Sequence, residues 1–410
     1  MKIGFISTRL AGTDGVSLET AKLAEVLRSM GHETYYCAGK LSQKSDRTRL
    51  APKMSFNHPQ IEKIQRGAFS QSTEANLEKH IKSVSGELKN EIASFVDEFD
   101  LDIIFTQNAQ TIPMNLPLGV ALGEFIENFS FPTIAHHHDF WWERERFRDS
   151  QVKGILREYF PPKLKSSRDM VINSIAKEEL KERRNLIAKI LPNVFNFSKP
   201  FPQIDDFNED LRGEIGLEEE ETFFLQPTRV VPRKGIEQSI KLLEQLPDES
   251  KKLVITHDAG DEGVAYLKKL KSFARESGVE LRYAADRFGD SRKYGREKQY
   301  SLWDAYLHAD FVTYPSKKEG FGNALLETMF FKVPALVNRY PVYKVDIEPI
   351  GFNFVEMDGS LTPPVVNSVK KVLQSEKLQT EMVEKNFKLA KKNFSYEVAA
   401  SLLQEVIDSF

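Results

Sequence analysis

Glu319 and Glu327 stand in the stretch Tyr314-Pro-Ser-Lys-Lys-Glu-Gly-Phe-Gly-Asn-Ala-Leu-Leu-Glu-Thr-Met. A β-rich run ends at Tyr314, a glycine-containing turn carries Glu319, and Glu327 lies one to two turns inside the helical pattern that follows. Carboxylates accept several hydrogen bonds at once, so this spacing lets one reach a sugar hydroxyl and the other a ribose. The helix opening at the turn aims its first amides back toward the same place, an arrangement receptive to anions. Two glutamates alone read sooner as an exposed turn and a solvated helix face; Pro315, Gly320, Phe321 and Gly322 around them turn the reading toward a built site.

Arg229 and Lys234 lie in Gln226-Pro-Thr-Arg-Val-Val-Pro-Arg-Lys-Gly235, again just past a β-rich run and before a helical one. A phosphate there would meet two cations and the amides of a helix start; the alternative is a basic turn paired with surface carboxylates. Gly12-Thr-Asp-Gly15 follows the first strand. It lacks both the three-glycine dinucleotide spacing and the lysine of a phosphate loop, which disfavours nicotinamide chemistry and leaves close backbone approach to a ligand or a plain turn. His136-His137-His138-Asp139 ends another strand. Successive strand side chains point to opposite faces, so the three imidazoles do not converge on one ion. Phe140-Trp-Trp-Glu-Arg-Glu-Arg-Phe-Arg148 is read either as the wall of a pocket, with Arg144, Arg146 and Arg148 facing it, or as a solvated helix with aromatic anchors.

Short β-rich runs alternate with helical patterns through most of the chain, which predicts βαβ units around parallel sheets. The first series has strands at 3–7, 34–38, 102–106, 131–137 and 170–173, with a helix over 16–28 that stops at Gly31. The polar stretch 40–72 shows no clear period and is expected to be an excursion or mobile loop. After Leu191-Pro-Asn-Val and the proline-bearing segment through Pro202, a second series has strands at 222–226, 252–256, 281–284, 311–314 and 334–338. The segment 394–410 carries an apolar stripe at helical spacing. Ligands of open α/β sheets bind beyond the carboxyl ends of the strands. Asp100-Leu-Asp102 enters a strand at its amino end, so this Asp-x-Asp pair is not expected to bind a metal.

The 410 residues suggest two domains, and a 40% hydrophobic, 29% charged composition is that of a globular chain. Lys and Arg total 57 against 60 Asp and Glu, a net charge of -3, which gives no electrostatic reason for non-specific nucleic-acid binding. The opening residues lack the layout of a signal peptide, and no apolar run is long enough to span a bilayer. Cys37 is the single cysteine, which excludes an intrachain disulfide and agrees with a reducing, cytoplasmic setting. The Asn-Phe-Ser triplets at Asn128, Asn196 and Asn393 are read as chance.

The motifs together, in this order over nearly the whole chain, resemble the retaining glycosyltransferases of the GT-B fold, the large family that includes sucrose-phosphate synthases and bacterial mannosyltransferases. The resemblance rests on the Glu-(seven residues)-Glu spacing, the Arg229–Gly235 segment, Leu191-Pro-Asn193 and the closing Phe394-Ser-Tyr396 helix. It implies two Rossmann-like, doubly wound domains facing a cleft: 1–192 for the acceptor, with 394–410 packing back on it, and 193–393 for the nucleotide-sugar donor. It further implies transfer of a hexose, with retention, from a UDP- or GDP-linked sugar to a small soluble acceptor, without a metal or other cofactor. Donor contacts fall to Arg229, Lys234, Glu319, Gly320, Phe321, Gly322, Asn323 and Glu327; catalysis to Glu319, His138, Arg229 and Lys234. Gly15 resembles part of the family's first glycine loop, although Asp14 replaces a glycine. The position of Arg9, Arg144, Arg146 and Arg148 after two first-domain strands predicts an acceptor bearing a carboxylate or phosphate. Two turns depart from the family: Thr256-His-Asp-Ala-Gly260, and Arg339-Tyr-Pro-Val-Tyr343 where paired glycines are usual. A sugar phosphorylase or nucleotide-sugar epimerase on the same fold, and a silent nucleotide-sugar sensor, remain alternatives. No stable membrane insertion is expected, and donor base, donor sugar, acceptor and oligomeric state stay open.

Overall fold

The computed structural model describes residues 1–12, 14–42, 44–70, 76–247, 250–295 and 297–410. It divides into two compact units, Met1–Val194 with Tyr396–Phe410, and Phe195–Ser395.

Among the described residues the first unit is built on seven parallel strands. They are Lys2–Ser7 (β1), Glu33–Ala38 (β2), Thr48–Leu50 (β3), Ile103–Gln107 (β4), Thr133–His137 (β5), Ser167–Val171 (β6) and Ala188–Ile190 (β7), in spatial order β3-β2-β1-β4-β5-β6-β7. Helices cover both faces, so the central strands are buried along their length and read as continuous apolar runs. Helix Gly15–Ser29 packs Leu23, Ala24 and Leu27 against Ile3, Phe5 and Ile103. Ala399, Leu403 and Val406 of helix Tyr396–Ile407 complete that same cluster.

The second unit repeats the plan with Thr222–Gln226 (β8), Lys251–Ile255 (β9), Glu280–Tyr283 (β10), Phe311–Tyr314 (β13), Ala335–Asn338 (β14) and Val355–Met357 (β15). Two-residue strands Phe288–Gly289 (β11) and Tyr300–Ser301 (β12) pair separately. The main sheet runs β10-β9-β8-β13-β14-β15. In both sheets the winding direction reverses beside the first strand, between β1 and β4 and between β8 and β13. Such a switch point opens a crevice at the carboxyl ends of the strands.

The structure corrects three readings. The stretch 40–72 is not a structureless excursion: it supplies β3 and helix Pro59–Phe69, whose Ile61, Ile64 and Ala68 are buried at helical spacing. Residues 43 and 71–75 lie outside the described part. The strand expected at 170–173 ends at Val171, because Asn173 instead caps helix Ser174–Arg184, accepting a hydrogen bond from the Ala176 amide at 2.7 Å. The aromatic–arginine run forms two short 3₁₀ turns, Trp141–Glu143 and Glu145–Phe147, fixed by buried Phe140 and Phe147. Among the described residues no helix is long and apolar enough to cross a membrane.

Candidate active site

The second unit brings the residues after β8 and β13 into contact across its switch point. Gly235 makes this possible: its φ is +63°, and a Cβ there would lie 2.5 Å from the Pro315 carbonyl oxygen. With that approach allowed, the Lys317 amide donates to the Arg233 carbonyl oxygen at 2.8 Å, zipping one turn to the other. Lys234 Nζ then ion-pairs with Glu319 Oε1, and Arg233 reaches Glu319 Oε2 at 3.2 Å. Lys234 and Glu319 side chains are only 10% and 9% exposed. Burial is the largest effect on both. For Glu319, Lys234 and Arg233 outweigh it and hold the carboxyl below its usual range; for Lys234, burial prevails over Glu319, and Arg233 and Arg229 add to the depression. The two side chains face each other as a buried ion pair. Arg229 is exposed at the same end of β8 and near enough to act on Lys234 and on His257, which follows β9. Burial, then Lys234 and Arg229, bring the His257 imidazole down to about 4, so it is neutral.

Gly322 turns the chain from Phe321 into helix Asn323–Phe330 with φ +130°, and a Cβ there would meet the Tyr340 and Tyr314 hydroxyls at 2.9 and 3.2 Å. Tyr340 donates to the Phe321 carbonyl oxygen at 2.5 Å, so the tyrosine that stands in the departing turn braces the glutamate loop from beneath. One helical stretch on, Glu327 Oε2 accepts from the fully buried Tyr306 hydroxyl at 3.1 Å. Three cations, one buried carboxylate and a helix N-terminus therefore share one sheet edge. Such a set has the charge and donors that suit a diphosphate and, beside it, hydroxyls.

In the first unit the corresponding edge carries Arg9 and Gly15 after β1, Asn108 after β4, and His138 and Asp139 after β5. Asp14 caps helix Gly15–Ser29 by accepting from the Ser17 amide, and its other oxygen pairs with Arg9 at 3.1 Å. The Arg9 guanidinium also lies 5.2 Å from the centre of the Phe56 ring. Asp139 accepts from Asn108 Nδ2 at 2.8 Å and pairs with Arg144. His138 is held by the Asn108 side chain on its backbone amide, at 3.1 Å, and by Gln107 on its ring. Burial, with His137, lowers its pKa to about 4 against the pull of Asp139 and Asp14. Arg146 lies over Phe147, and Arg144, Arg146 and Arg148 are exposed. The indoles are tied down: Trp141 donates to the Phe160 carbonyl oxygen at 2.9 Å, and Trp142 to Glu179 at 2.7 Å while stacking on Phe140.

Asp100 and Asp102 lie at the opposite, amino-terminal edge, engaged with Lys2. Among the described residues no group of three or more His, Cys, Asp or Glu side chains is placed to hold a metal ion. Sequence reasoning missed Arg233, Gln107, Tyr306, Tyr340 and His257 as parts of these sites. Arg233 beside Lys234 was the one with a legible signal.

A sequence model of the glycosyl transferases group 1 matches residues 207–389. The chain belongs to this family, and its two parallel-sheet units are those of a GT-B glycosyltransferase. It is 34% identical over 377 residues to the mannosylglucosylglycerate synthase of Petrotoga mobilis, covering 87% of this chain and 86% of that protein. It is 32% identical to the mannosylglucosylglycerate synthase of Thermotoga maritima, covering 99% and 100%. Among solved structures, Anabaena HepE, crystallised with UDP and glucose, superposes with a TM-score of 0.67 at 13% identity over the whole of both chains. Sucrose-phosphate synthase of Thermosynechococcus elongatus gives 0.64 at 15% identity, covering 100% of this chain and 98% of that one.

Proposed function

We propose that this glycosyltransferase moves a mannosyl unit, with retention and without a metal, from a nucleoside diphosphate sugar to glucosylglycerate or a close carboxylate-bearing glycoside. The observation that carries the reading is the near-full-length similarity to two proteins whose name describes that product, in a chain with a Lys234–Arg233–Glu319 cluster at its switch point. The donor diphosphate is assigned to the Phe195–Ser395 unit and the acceptor to the first. Arg229 and Lys234 hold the diphosphate, whose charge grows as the glycosidic bond breaks, so fixed cations there favour the transition state over the ground state. The leaving phosphate takes the acceptor proton; Glu319 and His138 orient the transferred sugar, and Glu327 takes the ribose. Backbone at Gly320, Phe321, Gly322 and Asn323 completes the donor site. The acceptor carboxylate falls to Arg9 and the exposed Arg144, Arg146 and Arg148, with Gly15 allowing close approach.

The test offers GDP-mannose, UDP-mannose and UDP-glucose to the protein, each with glucosylglycerate, its amide, inorganic phosphate or no acceptor, with and without a chelator. Formation of an α-mannoside with glucosylglycerate, read from the anomeric proton resonance, is expected with the chelator present. A β-linked product, transfer to phosphate alone, or no turnover of any donor would refute the proposal.

A further inference from the structure

Gln107, fully buried at the end of β4, lies between two imidazoles: 3.2 Å from His136 Nδ1 and 3.1 Å from His138 Nε2. On its far side His136 Nε2 is 3.3 Å from the Leu191 carbonyl oxygen. A carbonyl only accepts, so His136 carries its proton on Nε2. That ring is fully buried with His138 and His137 beside it, surroundings that keep it neutral; burial holds its pKa well below the usual histidine value. Its Nδ1 is therefore bare and needs a donor.

The amide of Gln107 offers oxygen or nitrogen to the rings according to a half turn of its last torsion. Oxygen toward the rings sets lone pair against lone pair at His136 and leaves the buried Nε2 amide without a partner. Nitrogen toward the rings spends one N–H on His136 Nδ1 and the other on His138 Nε2. The carbonyl oxygen then becomes the unpaired atom, a more tolerable one than an orphaned N–H donor. We propose that Gln107 is a positioning residue that fixes His138 as the Nδ1–H tautomer, so that this ring presents a hydrogen-bond donor and not a base. The functional weight of this rests on the reading of His138 as a residue that orients the transferred sugar. In that reading a donor suits a sugar oxygen, and it leaves proton acceptance to the leaving phosphate.

The experiment is ¹⁵N NMR of the full chain labelled at histidine, with the His138 signals assigned by their loss in His138→Gln. Two-bond ring couplings are expected to show His138 protonated at Nδ1 and bare at Nε2. In Gln107→Glu the carboxylate can only accept, and the His138 proton is expected at Nε2, with kcat about tenfold lower, the loss of one hydrogen bond, and KM little changed. A parent His138 protonated at Nε2, or the same tautomer in parent and Gln107→Glu, overturns the inference. If Gln107→Glu does not fold, the parent spectrum decides alone. Failure of the functional reading is seen separately, as full turnover in His138→Ala.

Discussion

Replacing Lys234 with methionine strands the Glu319 carboxylate in a pocket where its side chain is 9% exposed. Breaking a buried ion pair from one side costs about 3–5 kcal/mol, because a charge is left without its partner. Arg233 still reaches the other carboxylate oxygen at 3.2 Å, but from a 42% exposed position, so the cost falls toward the lower end, ~3 kcal/mol. For a unit the length of Phe195–Ser395 this lowers the midpoint of its unfolding by roughly 6–12 °C. Adding Glu319→Gln removes the stranded charge, and the double variant is expected to regain about 2 kcal/mol of the loss. Turnover is expected to behave differently: in the proposed mechanism both groups serve the reaction, so each single variant and the double lose about a hundredfold in kcat. Glu319→Gln alone releases Lys234 from its internal partner and is expected to bind the free nucleoside diphosphate several-fold more tightly while turning over slowly. Scanning calorimetry, denaturant unfolding and nucleotide titration of the four proteins read all of this. Equal midpoints for Lys234→Met and the double variant would show that the pair is not coupled. Unaltered turnover would remove the cluster from the site.

Glu327→Ala is expected to raise the donor KM several-fold with kcat nearly kept, because ribose contacts are alike in ground and transition states; a steady-state split in the opposite sense assigns Glu327 to the chemistry. Acidification should destabilise the protein below about pH 6.5, the ordinary histidine value. His136, His138 and His257 have folded pKa values below the unfolded one, so their contribution is complete above the unfolded value and is lost as pH falls; for His138 and His257 the loss runs down to about 4. Each takes up to ~1.4 kcal/mol per pH unit, and denaturant midpoints that stay level between about pH 7 and 5 would contradict it. Arg9→Ala is expected to raise KM for glucosylglycerate about tenfold or more and for its amide much less, from the loss of one charge-assisted contact; equal effects on both compounds would free Arg9 from carboxylate recognition.

The two sheets were legible because buried parallel strands are short apolar runs, and β1, β8 and β13 are each followed by a turn that carries glycine or proline: Gly12, Pro227 and Pro315. The short strands β3, β7 and β15, three residues apiece, were not, since a run that short has no period to read. Helix Pro59–Phe69 was hidden by polar neighbours, although Ile61, Ile64 and Ala68 keep its spacing. Site residues on turns could be found from residue type and position. Those acting through other residues could not: Gln107 looks like any strand-end amide, and Tyr306 and Tyr340 like core aromatics, until the fold places their polar tips.

Helix Tyr396–Ile407 belongs to the first unit, sealing the cluster of Leu23, Leu27 and Phe5, and Tyr396 donates to Glu25 at 3.0 Å. The whole of Phe195–Ser395 is thus threaded between two parts of one core. A ribosome delivers the second unit as one continuous stretch, but the first stays short of a helix until the residues after 395 emerge. The usual order of synthesis, in which amino-terminal domains finish first, is reversed here. During translation it is the earlier-made half that waits with an uncovered apolar face, and a chain halted near residue 395 would hold a complete second unit and a first one still open on that side.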